Sequence, residues 1–465
     1  MAYEIEYRSE DEMKDSGIEW LGKIPEEWSN IKFKYITDIL TCGYASTPEY
    51  VDEDEGVPFF SAQNIQNNKF DLTKYNYIPV KLHKTISKYS KLKKGDLLQV
   101  RVGGSTTVGQ TCVYNLDIEA SYYVSLTHIR VNKLNFNKYV KYLCDSTGFR
   151  NQAELVMKKG AGVANLNVGD LERFRISVPS LQNQQKIANF LDIKTSEFDS
   201  IISKKEQLIK KLEEAKKSLI SEVVTGKVKI VDGQLVDRKP EEMKDSGFEW
   251  LGMIPKGWEV KKIKYVSSLN KKTLSNNEKK ELNINYIDIG SVDKTGTINQ
   301  VQELTFEEAP SRARRIVTYK DTIVSTVRTY LKAISYIDKK YNEFICSTGF
   351  AVFTPNKNFV FPKFFYYMIM SEEYINQIMS NSVGVSYPAI NASDITNFPC
   401  VLPNLEEQTR ITNLLEEYLN KLNSIITKTK QQITKLKEAN QSLISEAVTG
   451  KIDLRDWEII ESGGR

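Results

Sequence analysis

The sequence has few of the residues that build metal and redox sites. It contains only two histidines, His83 and His128, and its five cysteines include no CxxC pair. Structural zinc sites usually need closely spaced cysteine and histidine ligands, so we expect no metal site. The cysteines are odd in number and lie at least 32 residues apart, which favours reduced thiols over a disulfide framework.

Long apolar runs are also absent. The opening stretch, "MAYEIEYRSEDEMKD", lacks the apolar core of a secretory signal, and no run approaches the roughly 18 apolar residues that a membrane crossing needs. We therefore expect a cytoplasmic protein with no membrane partner. Its 465 residues, of which 40% are hydrophobic and 27% charged, predict a globular protein of two or three domains.

Motifs for nucleotide binding and catalysis are lacking as well. The one phosphate-loop look-alike, "GSTTVGQT" at 104–111, has Gln110 where the phosphate-binding lysine belongs, and it lies between two strand-like runs. The sequence contains no GxGxxG, no GxSxG and no Asn-Pro-Pro-aromatic motif. We therefore predict no catalytic residues, no cofactor bound to this chain, and no enzymatic activity of its own.

What the sequence does contain is an internal repeat. The stretch "MKDSGIEWLGKIPEEW" at 13–28 recurs as "MKDSGFEWLGMIPKGW" at 243–258, with twelve of sixteen residues the same. "DLERFRISVPSLQNQQKIANFL" and "SLISEVVTGKV" recur 224 positions later as "DITNFPCVLPNLEEQTRITNLL" and "SLISEAVTGKI". One unit of about 225 residues is therefore used twice.

Each repeat has a globular part and a helical part. Short β-branched and aromatic runs such as "DLLQVRV" and "INYIDIG" predict a mixed α/β domain. From Pro179 or Pro403 there is no proline or glycine until Gly226 or Gly450, and apolar residues recur there in alternating steps of four and three. The predicted seam residues are Leu191, Phe198, Ile201, Leu208 and Leu212 in the first repeat, and Leu415, Leu422, Ile425, Leu436 and Leu443 in the second.

The predicted fold class is α+β with an internal pseudo-two-fold repeat, in which two globular domains alternate with two long helices that pair as an antiparallel coiled coil. The first globular domain is predicted at 1–180 and the first long helix at 181–226. The second globular domain is predicted at 227–402, with a linker at 227–242, the second long helix at 403–450, and a tail at 451–465. Antiparallel pairing would hold the domains at opposite ends of a rod on the order of 54 Å long. Parallel pairing would place both at one end, and packing inside a larger bundle is a further alternative.

The order of these motifs resembles the specificity subunit of a Type I restriction-modification system. The resemblance covers residues 13 to 452 and depends on "SGIEWLGKIPEEW", the "KKGDLL" turn, "DLERFRISVPSLQNQQKIANFLD" and "SLISEVVTGK". It implies two target-recognition domains that read the halves of a bipartite double-stranded DNA sequence. It also implies helices that set the spacer and dock two methyltransferase subunits, which restriction subunits join. S-adenosylmethionine, ATP and Mg²⁺ would then bind to the partners.

Candidate DNA contacts lie where the two repeats differ. After Asp96 and Asp321 the strands keep their apolar pattern but end in unlike tips, as two readers of different half-sites require. The candidate base contacts are Arg101, Ser105, Thr106, Thr107, Arg328, Thr329, Tyr330 and Lys332, and the candidate phosphate contacts are Lys158, Lys159, Arg312, Arg314 and Arg315. Gln63 and Asn64 suit adenine but suit an Asx turn equally. Ordinary hairpin turns and solvated basic faces are the alternatives, since the net charge is only +4.

Tryptophans in the repeated opening motif predict a different role. Trp20, Trp28, Trp250 and Trp258 stand in stretches too apolar for base reading, so we expect them to anchor each domain against the neighbouring helix ends. Two other functions remain open from the sequence alone. One is a coiled-coil adaptor that binds proteins and not DNA, and the other is an enzyme that modifies DNA itself.

Overall fold

The chain folds into two units. The computed structural model describes residues 5–19, 21–104, 106–160, 162–275 and 277–458. Unit 1 comprises the described residues of 1–205 and 430–465, and unit 2 comprises those of 206–429. Each unit thus holds one globular part and about half of each long helix.

Unit 1 contains sixteen strands among its described residues and is completed by two halves of long helices. The strands are β1 (Met13–Asp15), β2 (Lys23–Pro25), β3 (Ser29–Lys32), β4 (Thr37–Cys42), β5 (Gly56–Phe60), β6 (Ile65–Gln66), β7 (Lys69–Phe70), β8 (Asn76–Pro79), β9 (Leu97–Val100), β10 (Val102–Gly103), β11 (Thr111–Val113), β12 (Ser121–Tyr122), β13 (Leu126–Val131), β14 (Lys158–Gly160), β15 (Val163–Asn165) and β16 (Arg175–Val178). The helices are α1 (Val80–Ser90), α2 (Asn137–Asp145), α3 (Thr147–Val156), α4 (Val168–Leu171) and the first half of α5 (Leu181–Val224).

Unit 2 repeats much of this order. Its strands are β17 (Val228–Val231), β18 (Gln234–Asp237), β19 (Met243–Asp245), β20 (Met253–Pro255), β21 (Glu259–Lys262), β22 (Ser267–Leu269), β23 (Asn283–Ile287), β24 (Gln302–Thr305), β25 (Ala313–Ile316), β26 (Thr322–Ser325), β27 (Ile334–Tyr336), β28 (Ile345–Ser347), β29 (Phe350–Pro355) and β30 (Pro399–Leu402). Its helices are α6 (Ile263–Val266), α7 (Pro362–Met370), α8 (Glu372–Ser380), α9 (Ala392–Thr396) and the first half of α10 (Leu405–Val448).

The central sheet has the same strand order in both units. It runs β11-β9-β13-β4 in unit 1 and β27-β26-β29-β22 in unit 2, and every neighbouring pair is antiparallel. All four residues of β9 and of β26 are buried, and the middle of each strand lies in the core of its unit. The α+β class and the internal repeat are therefore confirmed.

The two long helices run antiparallel within each unit. In unit 1, Lys205 Nζ donates a hydrogen bond to Gln432 Oε1 at 2.8 Å, while Ile187 near the start of α5 shares a core with Val448 at the end of α10. In unit 2, the end of α5 shares a core with the start of α10. Residue numbers therefore fall along one helix as they rise along the other. No helix in the described part of the chain has the length and apolarity that crossing a membrane would take.

Part of the predicted seam is wrong. Leu191, Leu415 and Leu443 are buried, and Phe198, Leu212, Leu422 and Leu436 are half-buried, as the prediction requires. Three predicted seam residues are instead the exposed ones, namely Ile201 at 44%, Leu208 at 44% and Ile425 at 45%. Their neighbours Ile202 and Ile426 are buried in their place, at 9% and 7% exposed.

The cause of this error is the helix repeat. The next buried residue after Phe198 in α5 is Ile202, and the next after Leu422 in α10 is Ile426. Each follows four residues later, whereas the strict pattern predicts a spacing of three. The average step along each buried side then approaches the 3.6 residues of a straight α-helix. A strict heptad drifts by about 20° per seven residues on such a helix, so its extrapolation slips by one position.

A buried glutamine fixes the start of each long helix. Gln184 Oε1 accepts from the Phe136 amide at 2.8 Å, and Gln184 Nε2 donates to the Pro179 carbonyl at 3.0 Å. In unit 2, Gln408 makes the same two bonds, to the Phe361 amide at 2.7 Å and to a proline carbonyl at 2.8 Å. Both glutamines are completely buried. Each one therefore joins its long helix to the segment that starts α2 or α7.

The repeated opening motif packs against the end of a long helix. A Cβ added to Gly450 would lie 2.5 Å from Pro25 Cγ, and one added to Gly226 would lie 2.4 Å from Pro255 Cγ. Both glycines also have φ near +75°, which favours glycine. The ring of the nearby tryptophan, Trp28 or Trp258, completes each contact and is 3% or 2% exposed. Trp250 is half-buried against Tyr374, at 5.0 Å between ring centroids, and Trp20 lies outside the described residues.

Unit 1 is closed by two segments that are far apart in sequence. In unit 2, Val228 pairs with Asp237 in the hairpin β17-β18. The equivalent pair in unit 1 is Ile452 with Tyr7, and the Tyr7 hydroxyl donates to Glu446 at 2.9 Å. The same local structure is therefore made once from a continuous hairpin and once from two separate segments.

Candidate nucleic-acid interface

A small three-stranded sheet brings together two groups of predicted DNA contacts in unit 1. This sheet, called tip sheet 1, has the order β10-β15-β14. Asn165 on β15 pairs with Val102 on one side and with Lys158 on the other. Lys158 and Lys159 are exposed, and Lys159 Nζ is 2.6 Å from Glu154. Strand β10, which follows Arg101, and the lysine pair, more than fifty residues apart in the chain, thus belong to one sheet.

The loop after β10 is a tight turn. Thr107 Oγ1 donates to the Gly104 carbonyl at 2.9 Å and would lie 2.7 Å from a Cβ added to Gly103. Any larger residue at Gly103 would therefore displace this threonine. Thr106 is exposed and Thr107 is half-buried, while Ser105 lies outside the described residues.

Arg101 ties tip sheet 1 to the body of its domain. Its guanidinium donates from Nη1 to the Val124 carbonyl at 3.1 Å and from Nη2 to Asn167 Oδ1 at 3.5 Å. Its side chain is half-buried. Arg101 therefore positions the sheet in this conformation, and a contact with a base would require it to release these partners.

The equivalent region of unit 2, called tip sheet 2, is formed by β-bridges. Ala389 pairs with Val327 and with Val383. Arg328 follows the first of these segments, with φ 51°, and its guanidinium carbon is 5.0 Å from the centroid of the Tyr387 ring. Arg328 is exposed, Tyr330 is 49% exposed, and Lys332 is half-buried with φ 53°. A left-handed conformation is uncommon for side chains such as arginine and lysine.

Two predicted base contacts are corrected by the structure. Thr329 is only 4% exposed, and its hydroxyl is 2.9 Å from Ser382 Oγ. Asn64 is 1% exposed, accepts from the Ser61 amide, and donates to two backbone carbonyls. A buried polar group with its partners in place does not reach a base edge, so both residues stabilise local turns. Gln63, next to Asn64, is exposed.

The predicted phosphate contacts of unit 2 lie on another sheet. Strand β25 forms one edge of the order β24-β23-β28-β25. Arg312 is exposed just before it, while Arg314 and Arg315 are half-buried. The guanidinium carbon of Arg314 is 4.6 Å from the centroid of the Phe306 ring. Arg314 and Arg315 therefore lie on a different sheet from Arg328, while the Arg312 carbonyl accepts from the Thr348 amide at 2.8 Å.

The turn before each central strand carries a buried aspartate with a different environment in each unit. Asp96 accepts from His128 Nε2 at 2.8 Å and from Arg130 Nη2 at 2.7 Å. Burial raises the pKa of Asp96, but these hydrogen bonds outweigh it and hold the pKa at about 2. Asp321 instead accepts from the Thr318 amide at 2.7 Å and from its hydroxyl at 2.8 Å, and burial raises the pKa of Asp321. The sequence pattern did not indicate this difference, because the side-chain partners of Asp96 come from the distant strand β13.

Sequence reasoning also missed the apolar loop of tip sheet 2. Val383, Val385 and Tyr387 are 81%, 102% and 65% exposed. In the repeat they occupy the positions of Lys159, Ala161 and Val163, 224 residues earlier. That alignment could have indicated the loop, because it places the apolar Val383 at the position of the basic Lys159 within the repeated unit.

Within the described residues, no group of three or more histidine, cysteine, aspartate or glutamate side chains is arranged to hold a metal ion. The four buried cysteines, Cys112, Cys144, Cys346 and Cys400, have thiol pKa values raised by burial. A raised thiol pKa disfavours the nucleophilic thiolate. These cysteines therefore behave as core residues.

Comparisons with known proteins agree with this arrangement. Over 448 residues the chain is 24% identical to the type I restriction enzyme MjaVIII specificity subunit of Methanocaldococcus jannaschii, covering 93% of this chain and 95% of that protein. It is 26% identical over 209 residues, 44% of each chain, to the type I restriction enzyme EcoKI specificity subunit of Escherichia coli strain K12.

Among solved structures, a chain from a study of complex assembly in the type I R-M system matches with a TM-score of 0.60 at 14% identity, over 91% of this chain and 98% of that one. That likeness shows a shared fold. The family model described as "Type I restriction modification DNA specificity domain" matches residues 25–214 and 255–435, one match in each repeat. The resemblance of the sequence motifs is thereby confirmed, and the chain belongs to the Type I restriction-modification DNA specificity family, with two copies of its domain.

Proposed function

We propose that the two units read the two halves of one bipartite double-stranded DNA sequence. The observation that carries this proposal is the pairing of equal frameworks with unlike tips. The central sheets have the same strand order, whereas tip sheet 1 presents Lys158 and Lys159 and tip sheet 2 presents Val383, Val385 and Arg328. Base edges are distinguished by the side chains that meet them, so unlike tips on equal frameworks suit two different half-sites.

In this proposal the chain contributes recognition, and the chemistry belongs to its partners. Methyltransferase subunits dock on the long helices, and restriction subunits join that assembly. Apolar side chains left exposed on the helices support docking, with Ile201 in unit 1 and with Leu208 and Ile425 in unit 2. S-adenosylmethionine, ATP and Mg²⁺ bind to the partner subunits.

A selection experiment tests the reading of DNA. The purified chain, together with a partner methyltransferase, is incubated with duplexes of random sequence, and the retained duplexes are sequenced. We expect enrichment of two short fixed sequences separated by a spacer of fixed length and free composition. Retention without any enriched sequence would contradict the proposal, and methyl transfer by the chain alone would contradict its assignment as a recognition subunit.

Domain exchange tests the assignment of one half-site to each unit. Replacing residues 30–178 with the same segment of another family member should change one enriched half-site and leave the other intact. The matched exchange of 260–402 should change only the other half-site. An exchange that altered both half-sites, or that altered neither, would show that each unit does not read one half-site by itself.

A further inference from the structure

Tip sheet 2 ends in an apolar loop that faces solvent. Val383 pairs with Ala389, so residues 384–388 form the turn between them. Val383 is 81% exposed and Val385 is 102% exposed, which leaves most of their apolar surface open to solvent. Apolar clusters with this degree of exposure usually mark a binding surface.

A cation and an aromatic ring stand beside this loop. The guanidinium carbon of Arg328 lies 5.0 Å from the centroid of the Tyr387 ring, a cation–π distance that holds the charge next to the valines. Tyr330, two residues after Arg328, is 49% exposed. A basic group close to an apolar tip suits a polyanion whose surface also presents apolar groups, because the charge binds phosphate while the tip is buried.

The two repeats differ in chemistry at this position. Lys159 of tip sheet 1 occupies the place of Val383, and Lys158 precedes it. The lysines can bind phosphates or the acceptor atoms of guanine, whereas valine has neither charge nor hydrogen-bonding groups. At this position tip sheet 2 therefore offers DNA an apolar side chain where tip sheet 1 offers a charge.

In the major groove, the C5-methyl group of thymine is the apolar feature that base pairs present. Resting on the proposed function, we propose that the loop 383–387 reads its half-site through contact of Val383 and Val385 with thymine methyl groups. Arg328, held by Tyr387, binds the adjoining phosphate. At the position equivalent to Val383, tip sheet 1 presents Lys159 instead, so it makes no methyl contact there.

Deoxyuridine substitution isolates this contact, because uracil differs from thymine only by the methyl group. The probes are duplexes that carry the site found by selection, with each thymine replaced in turn, and the protein is the full chain with its methyltransferase. We expect about four-fold weaker binding for each contacted methyl group, at one or two positions in the half-site of unit 2. The domain exchange above identifies the half-site of unit 2, so any loss in the half-site of unit 1, where Val163 is 53% exposed, is counted separately.

A double variant, Val383→Ala with Val385→Ala, makes the test specific. Because both side chains are exposed, the variant should fold like the parent, which its thermal unfolding checks. It should bind the thymine and uracil duplexes equally. The matched control, Lys158→Ala with Lys159→Ala, should weaken binding to every duplex and flatten its salt dependence, yet keep the preference for thymine.

The possible results distinguish failure of the thymine contact from failure of the proposed DNA recognition. Sequence-selective binding that is insensitive to uracil throughout the half-site of unit 2 would overturn the thymine reading and leave the proposed function intact. Absence of any sequence-selective binding would overturn the proposed function. Loss of methyltransferase binding in the valine variant would show that the loop docks protein, and would likewise overturn the inference.

Discussion

Asparagine in place of Asp96 should destabilise unit 1 by about 2 kcal/mol near neutral pH. In the native structure the Asp96 carboxylate accepts from His128 Nε2 at 2.8 Å and from Arg130 at 2.7 to 2.8 Å, and these bonds hold its pKa at about 2. The ordinary pKa of an aspartate is 3.8. A native pKa below the unfolded value means that the stabilisation is fully present above pH 4 and is lost as pH falls towards 2. The difference of nearly two pKa units corresponds to about 2 kcal/mol.

The equivalent substitution in unit 2, Asp321→Asn, is the matched control and should have the opposite sign or none. Burial raises the pKa of Asp321, whose hydrogen-bond donors are the amide and hydroxyl of Thr318. For a carboxyl whose native pKa is raised, stability is greatest below the unfolded pKa and is lost as pH rises through the native value. At pH 7, where the unfolded carboxyl is ionised, the raised pKa of Asp321 therefore costs stability, and a neutral amide of the same shape removes that cost.

Amide hydrogen exchange of the full chain measures both effects locally. Peptides from β9 report on Asp96 and peptides from β26 report on Asp321, so separate unfolding of the units does not confuse the readout. Asp96→Asn should reduce protection of β9 at pH 7, and the loss should shrink as pH is lowered towards 3. Equal losses in β9 and β26 from the two substitutions, or a pH-independent loss in β9, would refute the electrostatic reasoning.

Three further predictions use the repeat as its own control. Gln184→Leu and Gln408→Leu should each lower the free energy of unfolding in urea by about 2 to 4 kcal/mol, because each leaves a buried amide and a buried carbonyl unpaired. Losses below about 1 kcal/mol would contradict the role assigned to these bonds. Lys320 has φ 79° where the first repeat has Gly95 with φ 94°. Lys320→Gly should therefore raise the free energy of unfolding by about 0.5 to 1 kcal/mol, and Gly95→Ala should lower it by a similar amount or more. A change of the same sign in both variants would refute the argument from backbone strain. Aspartate at the exposed helix positions should weaken co-purification with the methyltransferase and leave thermal unfolding within a few degrees of the parent; these variants are Ile201→Asp, Leu208→Asp and Ile425→Asp. Aspartate at the neighbouring buried positions, in Ile202→Asp and Ile426→Asp, should instead unfold the unit concerned. Equal effects of the exposed and buried sets on thermal unfolding would refute the correction to the seam.

The sequence predicted the framework well because the framework depends on patterns that repeat. Helix α5 begins at Leu181 and α10 at Leu405, next to the predicted boundaries at 181 and 403. The seam failed at Ile201 and Ile425 because two periods, 3.5 and 3.6, agree over two heptads and then diverge. Sequence alone does not distinguish such close periods when isoleucines occupy both neighbouring positions, as they do at Ile425 and Ile426.

The candidate site was harder to predict because exposure and pairing depend on tertiary structure. Thr329 and Tyr330 are neighbours in one tip, yet one is 4% exposed and the other 49%. The partner that buries Thr329, Ser382, lies 53 residues away in the chain. The composition of the tip indicated its chemistry, but only the bridge from Val327 to Ala389 shows which of its side chains face outward and which hold the turn.

The physical constraints on the two kinds of position explain where the repeats agree and where they differ. At Gly226 and Gly450, a Cβ would meet a proline ring at 2.4 or 2.5 Å, and φ is near +75°, so larger residues are excluded in both repeats. At Val385 the side chain contacts nothing in the chain, so the fold places no limit on its identity. Framework positions, and buried tip residues such as Thr329, are therefore held by packing, whereas exposed tip positions are free to follow the DNA. An exposed tip residue can then be changed at little cost to the fold, which suits a subunit whose two units read different half-sites.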